Sequence, residues 1–243
     1  EADKFVKAVC SGLSAHSVKI ALPHILAEYD GKWQANLARC EAISSIAKSH
    51  SKQTKRNLSD LIPCLSSLMW DTKPAVKDAA AAAMNAACES ITNKDIKESV
   101  PTIISCILEP QNVPDIVHKL AGVVFVQDVD GSALAIMAPL LKRGMDDPAT
   151  AIKRNCARIV ENMSKLVDDP YEVEPFVPVL LPALQRAKDE VSDPEARVVC
   201  EKAFDQLDRT SKKAPLWKKI ELSTVLANLN TAAAGLDSVV AAQ

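Results

Sequence analysis

The sequence predicts an all-α solenoid of about five helix pairs, with a partial helix before them and one or two extra helices after. Three observations carry that expectation. Five prolines fall in one frame: Pro23 in ALPHIL, Pro63 in LIPCL, Pro101 in SVPTII, Pro139 in MAPLL and Pro178 in FVPVLL, at spacings of 40, 38, 38 and 39 residues. Each lies in an apolar run that reads as helical, and a fixed period near 40 with two helices per unit marks HEAT or armadillo repeats. Finally, apolar residues make up 48% of the chain, aromatics only 4%, and there are six glycines in 243 residues. Alanine and leucine with few aromatics suit close helix packing, and six glycines are too few for an all-β chain rich in tight turns.

Taken in order, residues 1–16 read as the end of a preceding repeat, with Phe5, Val6, Val9 and Leu13 at helical spacing. The array then occupies 17–210, in units 17–50, 57–91, 94–126, 131–167 and 171–210. The expected helices are 17–29 and 34–49, with Gly31 and Trp33 in the turn; 57–70 and 74–91, joined by Asp71-Thr72-Lys73; 94–109 and 114–126; 131–145 and 148–167; 171–189 and 194–209. Pro74, Pro114, Pro148 and Pro194 suit first helical positions, where a missing N–H costs nothing. Asp147, Asp169 and Asp193 precede prolines and can cap free amides. The frame prolines should bend the first helix of each pair. Period 3.6 places Leu61, Leu65, Leu68 and Met69 against Val76, Ala80, Met84 and Ala87 in the second unit. In the fourth it places Leu134, Met137, Leu140 and Leu141 against Ile152, Cys156, Ile159 and Met163. Residues 211–243 leave the proline frame and read as helices that cap the array or open a following bundle.

The composition narrows the functions. Net charge is −2, so nucleic-acid contact would have to come from local patches. Seven cysteines without CxxC pairs or a histidine cluster read as reduced core thiols of a cytoplasmic protein rather than a metal site. No apolar stretch reaches 18 residues, and no membrane partner is expected. The chain opens at Glu1 without methionine and is expected to be cut from a longer protein. No phosphate-loop, GxGxxG, GxSxG or HExxH motif occurs. Asp146-Asp147 and Asp168-Asp169 sit at helix starts, where capping explains them. The expectation is therefore a binding protein with no catalytic residue, metal or small-molecule substrate. Two basic spots stand out: Lys48, Lys52, Lys55 and Arg56 in KSHSKQTKR, between the first two units, and Lys142, Arg143, Lys153, Arg154 and Arg158 in the fourth. They could meet nucleic-acid phosphates or be solvated helix faces. Trp33 and Trp70, beside turns, could anchor a protein partner or pack on neighbouring helices.

Several stretches resemble the HEAT region of translation elongation factor three, a family of ribosome-bound ATPases. They include LIPCLSSLMWDTKPAVKDAAAAAM (61–84), NKDIKESVPTIISCI (93–107), VPDIVHKLAGVVFVQDV (113–129), ALAIMAPLLKRGMDDPATAIKRNCARIVENMSKLVDDP (133–170), PFVPVLLPAL (175–184) and SDPEARVV (192–199). The resemblance spans residues 17–207 and fades over 1–16 and 211–243. It implies a HEAT arm that docks on ribosomal proteins and rRNA, in a protein that helps deacylated tRNA leave the exit site. It implies ATP as cofactor of the full-length protein, in cassettes outside this chain, and a monomer in the cytoplasm. The general-control scaffold that activates a kinase on stalled ribosomes has a similar HEAT section, which keeps a protein-binding scaffold open as the alternative.

Overall fold

The computed structural model describes residues 2–27 and 32–213, with side chains from residue 6 onward. The Phe5 side chain, Gly31 and the helices expected beyond Lys213 lie outside what is described. Within them are thirteen α-helices, three 3-10 turns and no strand. The chain enters through α1 (Ala2–Ser11). The first pair is α2 (Ala15–Leu26) and α3 (Trp33–Ser49), followed by a short α4 (Ser51–Arg56). The second pair is α5 (Leu58–Leu68) and α6 (Pro74–Cys88). Then come α7 (Lys94–Lys97), α8 (Val100–Leu108) and α9 (Val113–Ala121). The fourth pair is α10 (Gly131–Met145) and α11 (Thr150–Lys165). The 3-10 turns Pro170–Glu172 and Glu174–Phe176 lead into α12 (Val177–Glu190) and α13 (Pro194–Lys212).

The helices form two layers. Second helices stack on one another, α1 on α3 on α6 and then α9 on α11 on α13, while α5, α8, α10 and α12 build the other layer. No pair buries its apolar face alone, so the core runs continuously along the stack. The eight side chains expected to meet in the second unit are all buried, as are seven of the eight in the fourth, with Ile152 partly buried. Helix α10 is enclosed on almost every side, because it packs on α5, α8, α9, α11 and α12. Helix α8 has nine residues, roughly 13 Å of helix. This thin third unit lets α5 and α10, from units two and four, touch directly.

The proline frame holds in register but not in role. Pro23, Pro63 and Pro139 lie inside α2, α5 and α10, whereas Pro101 and Pro178 sit in the first turns of α8 and α12. A first-turn proline loses no helical hydrogen bond, and the chain before it breaks into α7 or the 3-10 turns instead of extending the helix. The expected helices 94–109 and 171–189 are therefore each divided, and the frame proline lies in the helix interior in only three first helices; in α12 the interior proline is Pro182, outside the frame. All five prolines are exposed, so the rings face water and not the core.

Other boundaries shift for local reasons. Helix α9 stops at Gly122, short of the expected 126. The apolar run 123–126 that follows, three valines and a phenylalanine, is not helical, with Val124 78% and Val126 72% exposed. This strap is tied down by its neighbours: the Val126 and Gln127 amides both donate to Asp95 Oδ2 at 2.9 Å, and Val129 N–H donates to the Leu166 carbonyl at 2.8 Å. Pro148 lies two residues ahead of α11 instead of opening it, and Asp147 accepts from the Ala149 amide at 2.8 Å. Pro74 and Pro194 do open their helices, and Asp193 caps α13 through the Glu195 and Ala196 amides. Arginines close several helix C-termini: Arg39 donates to the Ile25 and Leu26 carbonyls, and Arg197 to the Val191 carbonyl. Those carbonyls have no partner within their own helix. All seven cysteines are free and six are buried. Burial pushes the Cys40, Cys88 and Cys156 thiols up to about 12, as expected for inert core residues.

Candidate nucleic-acid interface

The segment 48–56 is not a plain inter-repeat loop. Lysine, glutamine and arginine are good helix formers, and 51–56 contains neither glycine nor proline, so it winds into α4 and buries Thr54. Positions four apart share a helix face. Lys52 and Arg56 are such a pair, both exposed, and neither ion-pairs with a described residue. Lys48, in the last turn of α3, is also exposed.

Lys55 is spent differently. Its Nζ lies 2.7 Å from Asp130 Oδ2 and donates to Thr92 Oγ1 at 2.7 Å. Asp130 is the N-cap of α10; its Oδ1 accepts from the Ala133 amide at 2.9 Å and from the Ser132 hydroxyl. The Gly131 amide donates to Glu172 Oε2 at 2.7 Å. Two carboxylates thus cap the positive end of α10, and Lys55 balances them. Burial works against ionisation of Asp130, but Lys55, Ser132 and the Ala133 amide together outweigh it and hold the carboxyl below its ordinary 3.8. Glu172 goes the other way: burial, helped by Asp130 and Asp169, pushes its carboxyl up despite the Gly131 amide.

These groups line a cleft of about 420 Å3 between α4, the start of α10 and the 3-10 turns, with Lys52 and Arg56 on one wall and Tyr171 and Phe176 on the other. Free cations on one side and an aromatic on the other match what phosphates and unstacked bases need. Asp130, Tyr171 and Glu172 were not marked as site residues by the sequence. No local motif flags them, since they reach the cleft only through the packing of units two, four and five.

The second basic spot is largely consumed inside the fold. Lys153 is 6% exposed and pairs with Glu190 at 2.5 Å, which lowers the Glu190 carboxyl. Arg143 donates from Nη1 to the Cys106 carbonyl at 2.8 Å and to that of Ile107 at 3.4 Å, closing the end of α8. Arg154 lies 3.7 Å from Glu195. Of the five, Lys142, Arg143 and Arg158 are exposed, Arg143 with one nitrogen held by the α8 carbonyls. Much of the acidic lean of 160–195 is similarly engaged, with Glu161 paired to Lys165, Glu190 to Lys153, and Asp169 accepting from the Tyr171 amide. Among the described residues no group of three or more histidine, cysteine or acidic side chains could hold a metal ion. No described helix is long and apolar enough to cross a membrane.

The stacked pairs and exposed proline frame define a HEAT-repeat array with a cation-edged cleft. Residues 1–84 match the family described as EF3 N-terminal HEAT repeat, and residues 112–217 match Elongation factor 3/GNC1 HEAT repeat. The chain belongs to the elongation factor 3 HEAT-repeat family. It is 43% identical to Elongation factor 3 of Gonapodya prolifera over 216 residues, which is 88% of this chain and 20% of that protein. It is 42% identical over 210 residues to Elongation factor 3B of Saccharomyces cerevisiae, 86% of this chain and 20% of that one. With Elongation factor 3 of Candida albicans it shares 43% over 204 residues, 83% of this chain and 19% of the relative. The chain thus spans about one fifth of the length of these relatives. The family match begins at residue 1, so 1–16 carry family pattern that the sequence resemblance did not reach.

Proposed function

We propose that this chain is the ribosome-docking HEAT arm of an elongation-factor-3-like translation factor. The observation that carries the reading is the pair Lys52 and Arg56, exposed at the cleft mouth in a chain whose repeats match that family. In this reading the stacked helices hold the cleft rigid, the two free cations meet rRNA phosphates, and Tyr171 offers a stacking surface. The chain binds and does not catalyse. ATP turnover and release of exit-site tRNA belong to cassettes elsewhere in the full-length protein, which works as a monomer in the cytoplasm.

Co-sedimentation with purified eukaryotic ribosomes across a salt series, with bulk RNA as competitor, tests this. Saturable binding that weakens with salt and survives bulk RNA is expected; no binding at low salt by a folded chain rejects the arm as an independent docking element. Trp70, 54% exposed, favours a second reading, a scaffold arm for proteins such as that of the kinase-activating relative. Ribosome binding that is indifferent to salt would select it.

A further inference from the structure

We infer that a second cleft, where units two, three and four meet, is a binding site for a small planar aromatic acid. It has a volume of about 270 Å3, and its walls include Ile62 and Trp70 from unit two, Ile103 and Ile107 from unit three, and Leu140 and Arg143 from unit four. The lining is mostly apolar, and among the described residues no acidic side chain contributes to it and Arg143 is its one charged group. Arg143 uses Nη1 on the carbonyls that end α8. A guanidinium carries five N–H donors in a planar fork, so Nη2 and Nε remain to meet a carboxylate or sulfonate. The Trp70 indole, half exposed at the cleft, offers a face on which a flat ring stacks. Ser66 also lines the cleft, and its enclosed hydroxyl has no hydrogen-bond partner among the described residues. Rotation about χ1 lets it serve a polar substituent.

Size sets the ligand class. Ligand pockets usually run from about 300 to 1,000 Å3, so this cleft suits one or two fused rings, and is too small for a nucleotide strand or a folded peptide. Position sets the consequence. The thin third unit leaves α5 and α10 in contact here, so a bound ring touches two non-neighbouring repeats and ties the curvature of the array at this point. The inference is independent of ribosome docking, because the cleft lies apart from Lys52, Arg56 and the start of α10.

The test is calorimetric titration of the 243-residue chain with 2-naphthoate and with uncharged 2-naphthamide. One saturable 2-naphthoate site is expected, with a dissociation constant on the order of 0.1 mM, reasonable for roughly a dozen non-hydrogen atoms. In a chain carrying Trp33→Phe and Trp217→Phe, the lone indole of Trp70 is quenched on binding. Arg143→Gln weakens 2-naphthoate about tenfold and leaves 2-naphthamide unchanged, which also reports that the cleft is intact. Trp70→Ala, at an exposed position, weakens both. Absence of saturable binding to the unaltered chain at millimolar probe overturns the inference. So does binding that neither Arg143→Gln nor Trp70→Ala alters.

Discussion

Replacing Lys52 and Arg56 together by glutamine should change how ribosome binding responds to salt. Nine cations were candidates for phosphate contact. Lys55, Arg143, Lys153 and Arg154 are tied to Asp130, the Cys106 carbonyl, Glu190 and Glu195. Lys52 and Arg56 are the free pair at the cleft. Each phosphate neutralised contributes about −0.7 to −0.9 to the slope of log affinity against log salt. Losing two should make the slope shallower by about 1.5, so that a fourfold rise in salt costs the variant about eightfold less affinity than it costs the original chain. Lys153→Gln and Arg154→Gln should leave the slope unchanged, since neither cation is free. The assay is ribosome co-sedimentation over a salt series, with circular dichroism confirming that each variant stays helical. Equal slopes for the Lys52/Arg56 variant and the original chain would refute the reasoning. So would a change in slope from Lys153→Gln as large as that from the free pair.

Three further outcomes follow from the packing. A Cβ at Gly144 would lie 2.4 Å from Cys156 Sγ, so Gly144→Ala should lower the unfolding free energy by about 1 kcal/mol, read as a lower denaturant midpoint. That figure sets overpacking of about 1–3 kcal/mol against the roughly 1 kcal/mol that alanine gains in a helix. Paired with Cys156→Ala, the same change should stabilise; a raised midpoint from the single substitution would contradict the close approach. Leu140→Ala, at a position 5% exposed, should cost about 2–5 kcal/mol, and a loss below about 0.5 kcal/mol would overturn the phase of α10. Asp130→Asn keeps an acceptor for the cap but removes the partner of Lys55. Because the folded Asp130 carboxyl sits below 3.8, its stabilisation is present above that pH and is lost as pH falls through the lower folded value. The variant should therefore unfold earlier than the original at neutral pH and converge with it in acid. A difference that stays constant down to the acid end would show that the ion pair contributes nothing.

Much of the array was legible because its signals are local. The proline frame, the first-turn prolines at 74 and 194 and the 3.6-residue apolar phase act within one or two helices, and the second-unit core follows them. The misread boundaries have local causes too. Gly122 with its β-branched successors ends α9 early, and first-turn prolines split the helices expected over 94–109 and 171–189. Lys153 carried a readable warning: it lies three residues before Cys156 on the buried stripe of α11, where a cation needs a partner.

The candidate site was half legible. KSHSKQTKR announces positive charge, but nothing within it says that Lys55 meets Asp130, 75 residues later, or that Tyr171 and Lys52 line the same cleft. Sequence by itself determined the helical period, the buried stripe and the family, because hydrophobic spacing and proline geometry are properties of a short stretch of chain. Tertiary structure decided which cations are free and where the clefts lie. Ion pairing depends on distances between residues of different repeats, and those distances exist only once the helices have stacked.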